Sequence, residues 1–219
     1  MNSILSTAFF LAAAVSTCAV VPVARAQVIF DTLSSDYDTQ VNVVPGVNFL
    51  SQPNFFAQSF TTDATTASIA AVTVKFSAAS SDGNYVLSLR SNGSNFPSTE
   101  IATIGTGLNA DIFGGGAGVF TPTFFNVSFS SLSIPVSPNT RYWIYATTTG
   151  TGGARWASHL GNLVANESIA QPSAPPSTAR TQIMSVTVTP IPEPATEAAF
   201  AAGALLVLGA CRWVRNRSR

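Results

Sequence analysis

The stretch Val72–Gly93, VTVKFSAASSDGNYVLSLRSNG, decides the fold class. In its first part Val72, Val74 and Phe76 alternate with Thr73, Lys75 and Ser77; in its second Tyr85, Leu87 and Leu89 alternate with Val86, Ser88 and Arg90. A period of two sends successive side chains to opposite faces, so each part reads as a half-buried strand. The polar connection Ala78–Asn84, with Asp82-Gly83, joins them as an expected hairpin, and Asn92-Gly93 offers a turn able to take positive φ.

The same pattern recurs on both sides. Strands are expected at Val28–Leu33, Phe55–Thr61, Glu100–Ile104, Phe124–Ser130, Arg141–Thr148, Ala154–Ser158 and Gln182–Thr189, and no helical stripe of useful length lies between them. Short strands separated by Gly, Pro, Asn and Ser clusters describe an all-β body, an antiparallel β-sandwich or jelly roll. Thr39–Asn54 and Gly105–Gly118 read as long loops, the second carrying Gly114-Gly115-Gly116. Gln171–Thr178, with Pro172, Pro175 and Pro176, reads as an extended edge ahead of the last strand. The strand aromatics are mostly packing residues.

The two ends differ from this body. Met1–Ala26 holds an apolar region from Ile4 to Val23 and closes on Ala24-Arg25-Ala26, the small-x-small pattern that signal peptidase cuts before Gln27. No basic residue precedes Arg25, so a retained anchor is the alternative. At the other end Ala198–Cys211 is an uncharged run of 14 residues, about 21 Å as a helix against a hydrocarbon core of about 30 Å. A transmembrane helix over about 196–214 becomes long enough if Arg212 and Arg215 reach the phosphates. Four of the ten basic residues, Arg212, Arg215, Arg217 and Arg219, lie in the last eight positions, which puts that end in the cytoplasm and the body outside. Pro192 and Pro194 hold Glu193 in extended backbone between body and helix. The chain therefore divides into a signal helix at 1–26, a body at 27–190 and a C-terminal segment at 191–219.

Pro192-Glu193-Pro194, the apolar helix and the Arg tail at 212–219 together closely resemble the PEP-CTERM sorting signal of Gram-negative bacteria. The resemblance implies an exosortase-type processing enzyme as partner, with those three residues as its substrate and delivery to the cell surface or an extracellular polysaccharide matrix. In the body, Phe56-Ala57-Gln58-Ser59-Phe60-Thr61, the strand Val72–Phe76, Leu87–Gly93 with Phe96-Pro97, and Pro138-Asn139-Thr140-Arg141-Tyr142-Trp143 look like the choice-of-anchor R domain. That resemblance implies a β-sandwich and brings no chemistry with it.

The body carries five basic residues against eight acidic ones, a net charge of −3, which argues against nucleic acid or an anionic membrane surface as partner through a basic patch. The only cysteines, Cys18 and Cys211, fall in the two terminal segments, so the body has no disulfide and no thiol. His159 is the sole histidine, and its neighbour Ser158 points to the opposite strand face, which opposes a Ser-His-Asp set. Glu100 and Glu167, the body's only glutamates, read as solvated loop residues rather than a glycosidase pair. One histidine without cysteine leaves no closed zinc site. Asp36 and Asp38, with Asp31 nearby, are a weak candidate for structural Ca²⁺, against the commoner reading of turn residues. No other cofactor is expected.

What remains is an exported, non-enzymatic surface or matrix protein, carried by the general secretion machinery and signal peptidase, held by a C-terminal helix and associated with exopolysaccharide. Tyr37, Tyr145 and Trp156 are the candidates for stacking on pyranose rings. A structural spacer without ligand is the alternative. Ice binding would need flat rows of Thr at strand spacing, which Thr147-Thr148-Thr149 and Thr121-x-Thr123 do not supply.

Overall fold

The computed structural model describes residues 25–35, 55–115, 122–149, 153–160, 163–171 and 174–191. These form antiparallel sheets throughout, with one short 3-10 turn at Asn109–Ile112 and no α-helix among the described residues. The all-β expectation therefore holds for the body. The described residues belong to one unit, Ala24–Pro192.

The first sheet runs in the order β1 (Gln27–Asp31), β14 (Met184–Pro190), β3 (Thr66–Ala78) and β6 (Phe125–Phe129). β7 (Ile134–Pro135) and β9 (Ala154–Trp156) add to the two sides of β3. The second runs β12 (Ala174–Ser177), β11 (Ile169–Gln171), β2 (Phe56–Thr61), β8 (Arg141–Thr149), β4 (Asn84–Gly93) and β5 (Phe96–Leu108). β10 (Ser158–Leu160) and β13 (Arg180–Gln182) form a separate pair. As expected for its prolines, β12 is an edge strand, where a missing N–H costs nothing in the ladder.

Both six-stranded sheets turn their apolar sets into one core. Ile69, Val72, Val74, Phe76 and Val186 enter it from the first sheet, and Phe60, Leu87, Leu89, Tyr142 and Ile144 from the second. Each such side chain removed from water contributes about 1.5–3 kcal/mol, the main term available to a body without disulfides. Two buried polar side chains tie the sheets to β13. Gln58 Nε2 donates to Ser168 O at 3.2 Å and Gln58 Oε1 accepts from Gln182 N at 2.8 Å. Thr32 Oγ1 donates to Gln182 O at 3.0 Å and accepts from Met184 N at 2.9 Å.

Three local expectations are corrected. β3 and β4 are not a hairpin, because β3 pairs within the first sheet and β4 with β5 and β8 in the second. Alternation reports which face of a strand is buried, and two strands on opposite sides of one core satisfy it as well as two neighbours do. Residues 79–83 cross between the sheets, anchored where Ala79 N donates to Gly153 O and Asn109 N to Gly83 O. Gly83 takes φ +80°, and a Cβ there would lie 2.0 Å from Thr149 O.

The turn after β4 falls at Ser94-Asn95, both at positive φ, while Asn92 and Gly93 stay in the ladder opposite Pro97 and Phe96. Asn92 is held there because its Oδ1 accepts from Trp143 Nε1 at 2.9 Å. Residues 105–108, read as loop, continue β5, and 116–118 lie outside the described residues. The glycines that suggested a loop instead allow close packing. A Cβ on Gly107 would sit 2.0 Å from Tyr85 Oη and one on Gly105 2.2 Å from Phe129 Cε1, a β6 ring from the other sheet. Gly107→Val should therefore destabilise the body by about 1–3 kcal/mol, as overpacking does, measurable as a lower urea midpoint with an unchanged m-value.

Candidate functional site

The sites expected from sequence separate sharply in the structure. Ala24, Tyr37, the calcium candidates Asp36 and Asp38, the motif Pro192, Glu193 and Pro194, and the basic residues Arg212, Arg215, Arg217 and Arg219 lie outside the described residues. So does the apolar stretch 196–214; among the described residues no helix is long and apolar enough to cross a membrane. Ala26 and Gln27 are exposed, and Gln27 opens β1 opposite Val188. Asp31 Oδ1 accepts from Leu33 N at 3.0 Å, the bond of a turn residue. No group of three or more His, Cys, Asp or Glu converges among the described residues.

Trp156 is not a surface platform. It is 1 % exposed, its ring meets Phe76 edge-on at 5.3 Å, and its Nε1 donates to Ile183 O at 3.0 Å. β9 pairs with the core end of β3, which turns the indole inward. Tyr145 does lie on the outward face of β8, half-buried. Its ring is already occupied: Phe55 stacks on it at 4.6 Å, and the Arg90 guanidinium carbon lies 3.8 Å from its centroid. Burial raises the Tyr145 phenol above its ordinary pKa, with Arg90 opposing and Glu100 adding to the rise, so the hydroxyl is a neutral donor. A sugar could not stack on this ring as expected.

The pairing register explains why these groups meet. Ser88 lies opposite Tyr145, and Arg90 opposite Trp143, on the face turned away from the main core. Trp143 is fully buried there with Ala57 and Ala170, and Phe55, Phe96 and Tyr145 pack over them. Phe96 meets Phe55 edge-on at 5.9 Å. Around this aromatic cluster sit polar groups: Arg90 Nη2 bonds Glu100 Oε2 at 3.4 Å, and Thr103 Oγ1 donates to Glu100 Oε1 at 3.1 Å. Glu100, the first residue of the expected strand Glu100–Ile104, lies within β5 with an exposed side chain.

Further along the same face lies a second polar cluster. Glu167, expected to be solvated, is 5 % exposed. Its carboxylate accepts from Ser59 Oγ at 2.5 Å and Thr61 Oγ1 at 2.7 Å, and Arg141 Nε lies 3.8 Å away. Arg141 also donates to Asn95 Oδ1 and Asn166 O. Ser59 Oγ in turn accepts from Ser168 N at 2.7 Å, so the network clamps residues 166–168 onto β2 and β8. Every strong acceptor here is satisfied within the protein, which makes it a structural clasp. Ser158 and His159 lie on β10 with His159 opposite Thr181, and strand neighbours face opposite sides.

Sequence reasoning missed Arg90, Glu100, Phe55, Phe96 and Arg141. The signal available for the first was its outward phase on β4, but which of the expected strands lie beside β4 was not legible. Comparison with protein-family models, with curated proteins and with solved structures finds no match to this chain.

Proposed function

We propose that this chain is an exported, non-enzymatic cell-surface or extracellular-matrix protein whose body is a β-sandwich of jelly-roll type. Its C-terminal segment is processed by an exosortase-type enzyme, and the body associates with exopolysaccharide. The observation that supports this reading most is where the described strands begin and end. β1 begins at Gln27, the residue after the expected signal cleavage, and β14 ends at Pro190, two residues before Pro192. Every described strand thus lies between the two apolar terminal segments, and removing both would take away no residue of one.

The two ends of the body also lie side by side. Gln27 pairs with Val188 in an antiparallel ladder, and Ile191 N donates to Thr65 O just beyond β14. Adjacent ends suit a body held by two segments in one membrane. A cytoplasmic Arg cluster and a small-x-small cleavage pattern give that arrangement its direction.

The experiment is protease shaving of intact cells carrying a short epitope after Arg219. The body should be digested from outside while the epitope on the unprocessed precursor stays protected until the cells are lysed. A body that resists shaving but is digested after lysis contradicts delivery to the cell surface.

A further inference from the structure

We propose that Arg90 and Glu100, beside the Phe55–Tyr145 stack on the outward face of the second sheet, bind a neutral sugar polymer. This rests on the polysaccharide association proposed above and assigns it a place. The guanidinium is held by the Tyr145 ring more than by hydrogen bonds. Arg90 Nε has no hydrogen-bond partner among the described residues, and the bonds from Nη1 to Ser98 O and from Nη2 to Glu100 are both 3.4 Å, beyond the usual range for N–H···O. A guanidinium has five N–H donors in a fixed plane, so this one is oriented before any ligand arrives while its outer donors are weakly engaged.

Glu100 supplies the complementary acceptor. Its side chain is 45 % exposed and that of Arg90 26 %, and its carboxylate has four lone-pair sites of which Thr103 and Arg90 engage two. A planar donor next to a carboxylate acceptor matches the hydroxyls on neighbouring carbons of a sugar ring, each of which both gives and takes a hydrogen bond. Phe55 and Phe96, partly buried at the edge of the same cluster, offer apolar surface to the sugar's C–H face.

The charge of the site and of the body selects a neutral polymer over an acidic one. Glu100 would repel a uronate at the point where Arg90 attracts it, and the body as a whole is at −3. Tyr145 is here a positioning residue: it aims Arg90 and takes no sugar on its own ring.

The test uses the full chain in a polyoxyethylene detergent, which carries no sugar headgroup. Retention is measured on insoluble β-1,4-glucan, β-1,4-mannan and α-1,4-glucan, with cross-linked polygalacturonate as the acidic probe. The variants are Arg90→Lys, Glu100→Gln and, on the outward face of the first sheet, Thr187→Ala. The wild type and Thr187→Ala should be retained by at least one neutral polymer. Arg90→Lys and Glu100→Gln should each weaken that retention about tenfold, one charge-assisted hydrogen bond, with thermal midpoints near wild type. If Arg90→Lys does not fold, Glu100→Gln decides alone. Retention unchanged in the folded variants overturns this site and leaves the polysaccharide association standing. Retention on polygalacturonate alone overturns the choice of a neutral polymer. No retention of the wild type overturns both site and association, while export and processing are read separately by shaving and by mass.

Discussion

Trp156→Ala should cost the body about 3–5 kcal/mol, the range for removing a fully buried large aromatic. The indole is 1 % exposed, packs edge-on against Phe76, and gives its N–H to Ile183 O. Truncation leaves a cavity between β9 and β3 and removes one of two hydrogen bonds to the Ile183 carbonyl, which still accepts from Lys75 N at 3.1 Å. Such a loss is a large share of the 5–15 kcal/mol that a domain usually holds. Trp156→Phe should recover most of the packing and lose only the hydrogen bond, about 1–2 kcal/mol. Urea denaturation followed by far-ultraviolet circular dichroism measures both without relying on the removed fluorophore. A loss below 1 kcal/mol for Trp156→Ala would contradict the core placement and return this residue to the surface.

Glu167→Ala should cost about 2–3 kcal/mol. Ser59 and Thr61 would each lose a charge-assisted acceptor, and Arg141 would keep its charge beside a void. Removing one member of a fully buried pair costs about 3–5 kcal/mol, but the Arg141 side chain is 26 % exposed, so water screens part of the loss and the lower figure applies. Glu167→Gln keeps the shape and one carbonyl acceptor and should lose roughly half as much. The effect should also be local. Hydrogen exchange at Ser168 N and Ser59 N, which bond to Ser59 Oγ and Ser168 O, should quicken before exchange in the β3–β14 ladder does. Equal acceleration in both places would mean that Glu167 acts on the whole body rather than on the segment it clasps.

Much of this fold was legible because alternation is a direct consequence of the pleat. Val72, Val74 and Phe76 were expected on one face and all three are in the core, as are Tyr85, Leu87 and Leu89. What alternation does not carry is partnership: the same pattern allowed β3 and β4 to be neighbours, and the ladder puts them in different sheets. Glycines misled for a related reason. Gly105 and Gly107 look like loop residues in isolation, yet each makes room for an aromatic ring that arrives from elsewhere in the chain.

The candidate site was harder to read, since it depends on contacts remote in sequence. Tyr145 was singled out, but its stack with Phe55 and its cation from Arg90 come from β8 lying next to β2 and β4. Trp156 was singled out wrongly because a three-residue strand is too short to show its phase. Glu167 looked solvated beside Asn166 and Ser168, and only the register of β11 against β2 brings it under Arg141. The terminal segments are the reverse case: their length, charge and order are read from the sequence alone.

Mass spectrometry of the protein recovered from the extracellular matrix tests that proposal most directly, comparing wild type with a chain in which Pro192, Glu193 and Pro194 are all alanine. The wild type should be found beginning at Gln27 and lacking its Arg tail. The triple variant should accumulate on the membrane with residues 195–219 still attached and its body exported. Identical processing and release of the two chains would contradict it.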